Sequence, residues 1–170
     1  PAVVPVHPDA RNIAMSSQSS NATGTVHLHR VLRAPPARVY RAFLDPAVLA
    51  KWLPPHGFTG TVYAFDASVG GGYRMAFTNL GTGSSHSFRV VFVELEQDAR
   101  IVHVDTFDSP DLPGEIRVTV TLAPNLCGTE LRIEQSGIPA AIPIDFCYQG
   151  WQESLALLAL LVEPEIPDGA

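Results

Sequence analysis

Cysteine is nearly missing: Cys127 and Cys147 are the only two in 170 residues. Two thiols make neither a disulfide framework nor a metal cluster. They read as a loop thiol and a half-buried helix thiol, because free cysteine behaves as a small hydrophobe. Lysine is scarcer still. Lys51 is the only one, the remaining basic residues are arginines, and they do not cluster. With 17 acidic against 11 basic residues and a net charge of -6, the chain has no basic stripe for nucleic acid and no polybasic patch for a membrane surface. Long apolar runs are also lacking. The longest candidate, Leu155 to Val162, has eight residues, against the roughly 20 of a membrane span. The opening PAVVPVHPDARNIAM has neither the positive start nor the long apolar core of a signal peptide. A cytoplasmic protein without a membrane span is expected.

What is present is an ordinary globular composition, 46% hydrophobic and 16% charged. A chain of this length predicts one domain that buries roughly 70% of its unfolded surface. The first 24 residues read as a flexible tail. Pro1, Pro5 and Pro8 precede the polar stretch SSQSSNATG, a linker composition. Met15 is expected to be the natural start, with residues 1–14 as upstream sequence. The domain is expected over 25–165, with a short tail at 166–170.

Thr25 to Arg33 reads as a strand, with Val26, Leu28 and Leu32 on one parity. Pro36 suits the first turn of a helix, and Val39, Tyr40, Phe43 and Leu44 give it an apolar face. Asp45-Pro46 opens a second short helix that Pro54-Pro55 closes. Six strands follow: Phe58 to Asp66, YRMAFTN, SHSFRVVFVEL, ARIVHVDTF, EIRVTVTL and TELRIEQ. In the last two, Ile116, Val118, Val120 and Leu122 alternate with polar residues, as do Leu131 and Ile133. An antiparallel sheet with one wet face is the consequence. From about Ile142 to Glu163 the apolar residues Ile144, Tyr148, Trp151, Leu155, Leu158 and Val162 step by four and three, one helical stripe. Pro143 and Asp145 suit its start and Pro164 stops it. Gly150 inside it costs roughly 1 kcal/mol against Ala, so a close approach to the sheet or to a ligand is expected there. The predicted fold is α+β, a curved seven-stranded antiparallel sheet around a long C-terminal helix, with two short helices after the first strand.

The stretches APPARVYRAFLDPAVLAKW, DASVGGGYRM, GTEL and GWQESLALLALLVE resemble, in order and spacing, the helix-grip fold of the START-related SRPBCC superfamily. Within it they are similar to the family named after the activator of the heat-shock-protein-ninety ATPase. The resemblance covers about residues 25–165. It implies a hydrophobic cavity between sheet and C-terminal helix. Members of the superfamily bind lipids, sterols and polyketides there, and some catalyse cyclisation or dehydration. The co-chaperones that give the family its name carry an additional domain, for which this chain lacks room.

The residues expected at such a cavity face the helix from the sheet or lie on the helices. They are Tyr73, Met75 and Phe77 on one strand; His86, Phe88 and Phe92 on the next; His103 and Asp105 on a third; and the helical aromatics Trp52, Phe146 and Trp151. Aromatics and methionine line most small-molecule pockets, although most aromatics at strand spacing are simply core. His103 and Asp105 are two apart on one strand and so point the same way. A histidine beside a carboxylate can act as an acid or base near neutral pH. The opposite parity, Val102 and Val104, is apolar, which favours the outer face for this pair. His86 shares a face with three apolar residues, so a hydrogen-bonded core histidine is the plainer reading.

Other constellations carry no chemistry. His27 and His29 have no metal-ligand partners at the right spacing. His56 sits in a loop, at a cavity rim or merely solvated. Gly70-Gly71-Gly72 leads into a strand and makes a hairpin, not a phosphate cradle. GSSHS is not a nucleophile elbow. Glu153 and the strand residues Arg74, Arg89 and Arg117 read as solvated. No metal or cofactor is expected. The function expected is binding of a small apolar or aromatic molecule by a monomer or homodimer. The alternatives are a cyclase/aromatase- or hydrolase-like enzyme using His86 or His103 with Asp105, and a co-chaperone-like interaction module.

Overall fold

Seven strands hydrogen-bond in the order β1-β7-β6-β5-β4-β3-β2, each pair antiparallel. The structure is a computed structural model and describes residues 23–169; the tail and the Met15 start lie outside the described residues. Strand β1 (Gly24–Leu32) leads into helices α1 (Pro36–Leu44) and α2 (Pro46–Trp52). These carry the chain from one sheet edge to the other. Strands β2 (Phe58–Tyr63), β3 (Gly72–Asn79), β4 (Ser85–Glu96), β5 (Arg100–Phe107), β6 (Ile116–Asn125) and β7 (Gly128–Ile138) then meander back to pair with β1. Helix α3 (Ile144–Val162) lies across the inner face. This is the helix-grip arrangement, an α+β fold.

Local chemistry accounts for the breaks. Asp45 caps α2 by accepting from the Ala47 and Val48 amides, which satisfies donors the helix cannot. The first of the six later strands stops at Tyr63, three residues before the expected Asp66, because Ala64 takes a positive φ of 47°. Conversely β6 runs on to Asn125 and β7 starts at Gly128, leaving a two-residue turn where a longer loop was expected. A side chain at Gly128 would strike the Leu32 carbonyl oxygen at 2.3 Å, so only glycine allows that approach.

The stripe predicted for α3 is the one that packs. Leu155, Leu158 and Val162 are buried against Val26, Leu28, Leu131 and their neighbours. Asp145 occupies the first turn and Arg38 donates to the Val162 carbonyl at 2.9 Å, so both ends of the helix dipole are complemented. Glu153, expected to be solvated, instead accepts the His56 amide at 3.0 Å. Ser154 donates to the Leu53 carbonyl at 2.7 Å. These two bonds pin the α2–β2 loop to the middle of α3. Among the described residues no helix is long and apolar enough to cross a membrane.

Candidate functional site

Strand register arranges the inner face in rows. One row across five strands is Val26, Gln135, Val118, His103 and Phe92; the next is Ile116, Asp105, Val90 and Tyr73. Directly paired residues share a face, so the buried Val118, Val90 and Ile116 fix His103 and Asp105 on the inner side. The outward placement favoured by Val102 and Val104 is thus overturned. Two polar side chains are tolerated there because they satisfy each other: His103 Nδ1 lies 2.5 Å from an Asp105 carboxylate oxygen.

Between these rows and α3 lies a cavity of about 600 Å³. Nine expected residues line it: Trp52, Tyr73, Phe77, His86, Phe88, His103, Asp105, Phe146 and Trp151. Met75 and Phe92 do not. Met75 has no exposed surface because the α2–β2 segment covers it: a Cβ on Gly60 would stand 2.7 Å from its terminal methyl. Phe92 is roofed by Phe65 and Tyr73, with ring centroids at 6.1 and 6.0 Å. Both are core.

The wall is mostly aromatic. Phe77 meets Phe88 edge-on at 5.2 Å, and His86 meets Phe58 and Phe77 at 6.0 and 5.8 Å. His86 and Phe146 are exposed as well as lining the cavity, so its mouth opens between the first turn of α3 and the β3–β4 hairpin. Burial against the rings lowers the His86 pKa, since apolar surroundings disfavour the charged form. His86 pairs with Phe77, two rows beyond Tyr73 and Asp105. The two histidines therefore stand at opposite ends of the cavity. Trp52 is fully buried, donating to the Ala42 carbonyl at 2.9 Å with Phe43 edge-on at 4.8 Å. It closes one end of the cavity as a structural wall.

The polar end holds five groups, from His103, Asp105, Trp151, Gln135 and Tyr73. Beside His103 and Asp105, the Trp151 indole donates to Gln135 Oε1 at 2.9 Å. Burial first, and the Asp105 charge second, push the Tyr73 hydroxyl well above its usual pKa, so it stays a protonated donor. Cys147 also borders the cavity, and burial raises its pKa, leaving it a thiol. Among the described residues no three His, Cys, Asp or Glu side chains gather as a metal site.

This architecture has known relatives. Residues 33–163 match the family described as Activator of Hsp90 ATPase homolog 1-like protein. The chain belongs to that family. A solved structure from Chromobacterium violaceum is 55% identical to this family member, with a TM-score of 0.82, covering 83% of this chain and 98% of that one. One from Rhodobacter sphaeroides is 24% identical, with a TM-score of 0.72, covering 80% and 90%. One from Rhizobium leguminosarum is 22% identical, with a TM-score of 0.69, covering 85% and 97%. The last two share the fold. A comparison with curated proteins gave no match.

Sequence reasoning missed Gln135, Phe58 and Ile138 in this family member; all three line the cavity. A signal for Gln135 was present. It follows Leu131 and Ile133 at the inward parity of β7, and a polar residue at a core position needs a partner. That partner, Trp151, is 16 residues away on another element.

Proposed function

We propose that the chain binds one small apolar or aromatic molecule in the space between sheet and α3. The observation that carries this reading is the cavity itself. Protein interiors close-pack, with few voids larger than a water molecule. A space of about 600 Å³ walled by Phe58, Phe77, Phe88, Phe107 and Trp151 departs from that rule, and it falls within the roughly 300–1,000 Å³ of ligand pockets. Most of its few polar groups lie at one end, with His86 at the other and aromatic surface between, which suits a ligand with an apolar body.

The test is native mass spectrometry of freshly purified protein, followed by organic extraction. The expected result is a small-molecule adduct that is released on denaturation and has a largely apolar structure. An apo mass that stays unchanged after incubation with a panel of hydrophobic aromatic compounds would overturn the reading.

A further inference from the structure

The inner end of the cavity holds more than aromatic surface. An ionised carboxylate only accepts hydrogen bonds, so Asp105, 2.5 Å from His103 Nδ1, fixes the imidazole proton on Nδ1 and leaves Nε2 with a free lone pair. Among the described residues Nε2 has no protein partner, and no buried side-chain nitrogen or oxygen is left without one. Nε2 therefore opens onto the space that His103 lines. The Tyr73 hydroxyl lies in the row of Asp105, one strand beyond Val90. It too has no protein hydrogen bond among the described residues and lines the same space. A base held by a carboxylate thus shares a largely apolar-walled cavity with a hydroxyl donor.

We propose that this end of the cavity is an acid–base subsite for an acidic hydroxyl, phenol or enol, carried by a conjugated apolar ligand. The ligand O–H bond breaks and its electron pair stays on oxygen. The proton forms a bond to His103 Nε2, and Asp105 stabilises the resulting imidazolium. The Tyr73 hydroxyl donates to the oxyanion. Return of the proton from Nε2 regenerates the starting state, so no further reactant is needed. Other titratable groups face this pair from few directions. Tyr73 does so from β3 and Cys147 from α3, with His86 at the far end of β4. The neighbours on β6 and β7 are Ile116, Val118 and Gln135, and no lysine, arginine or glutamate lines the cavity. Nothing cationic therefore competes with His103 for the oxyanion.

This inference rests on the proposed cavity binding, and two probes separate them: 7-hydroxycoumarin, and coumarin, which lacks the hydroxyl. Wild-type protein should bind 7-hydroxycoumarin about tenfold more tightly than coumarin, the usual scale of one charge-assisted hydrogen bond. The bound probe should show phenolate absorbance at a pH where the free probe is the phenol. His103→Gln and Asp105→Asn should each abolish the phenolate signal and the tenfold preference while coumarin binding persists. That persistence also reports that each variant is folded. His29→Gln, exposed on β1 and outside this cavity, should leave the phenolate signal in place. A wild-type protein that binds both probes equally and keeps 7-hydroxycoumarin as the phenol would overturn the subsite but not the cavity. So would a phenolate signal that survives in both variants. Failure of both probes to bind would overturn the cavity reading and the subsite with it.

Discussion

His86 sits where a cavity residue and a titrating residue are the same side chain. Its ring touches Phe58 and Phe77, and burial holds its pKa below the ordinary imidazole value. The folded state then binds a proton less readily than the unfolded chain, whose histidines titrate near about 6.5. Stability falls as pH drops through that value toward the lowered folded pKa, because the unfolded state takes up the proton first. The informative quantity is a difference between two proteins. Urea unfolding of wild type and His86→Phe at several pH values should show the variant gaining relative stability as pH falls below that range. A gap that is constant with pH would mean the ring is not held neutral by its surroundings. At this scale the sequence suggested a hydrogen-bonded core histidine, whereas the ring stands at the exposed mouth of the cavity against aromatic neighbours. The rings around it come from β2 and β3, and no local pattern brings them together.

Helix α3 illustrates what an element adds. Its stripe and its start and stop residues were legible from spacing, because a 3.6-residue period writes itself into the sequence. The role of Gly150 was not. A Cβ built there meets nothing within 4 Å, so the glycine does not serve close packing on the sheet; it leaves cavity space open. Two substitutions separate those roles. Gly150→Ala should stabilise the fold by up to about 1 kcal/mol, the helix-propensity gain, as read by urea denaturation. Gly150→Leu should keep most of that stability and reduce apolar-probe binding at least tenfold, because its side chain enters the ligand space. Normal binding by the leucine variant would move the ligand away from this part of α3.

For the whole molecule, the sheet grips α3 along its C-terminal half, where Leu155, Leu158 and Val162 are buried. In the N-terminal half Ile144 and Tyr148 still meet β1, while Phe146, Cys147, Gly150 and Trp151 border the cavity. Arg33 and Arg38 tie the tight end to Glu163 and Glu165, while the open end depends on Trp151, Gln135 and the loop held by Glu153. A ligand in the cavity binds the folded state alone and stabilises it by mass action, about 2.7 kcal/mol at a hundredfold excess over Kd. For a domain of this size that is a rise in Tm of several degrees. A thermal-shift titration with the extracted ligand should show it, and Trp151→Ala should shrink the shift while the unliganded variant still unfolds cooperatively. An equal shift in that variant would place the ligand elsewhere.

The sequence by itself determined the order and kind of the elements, the antiparallel sheet, the amphipathic stripe of α3 and the family. Each is carried by short-range periodicity, turn chemistry or local motifs. The tertiary structure decided which face of β5 turns inward. Apolar residues on both parities leave that choice open, and it is settled only by pairing with Phe92, Val118, Val90 and Ile116. It also decided that Met75 and Phe92 are core, that Gln135 meets Trp151, and that the space between sheet and helix stays open. Cavities form between elements far apart in the chain, so no window of sequence contains one.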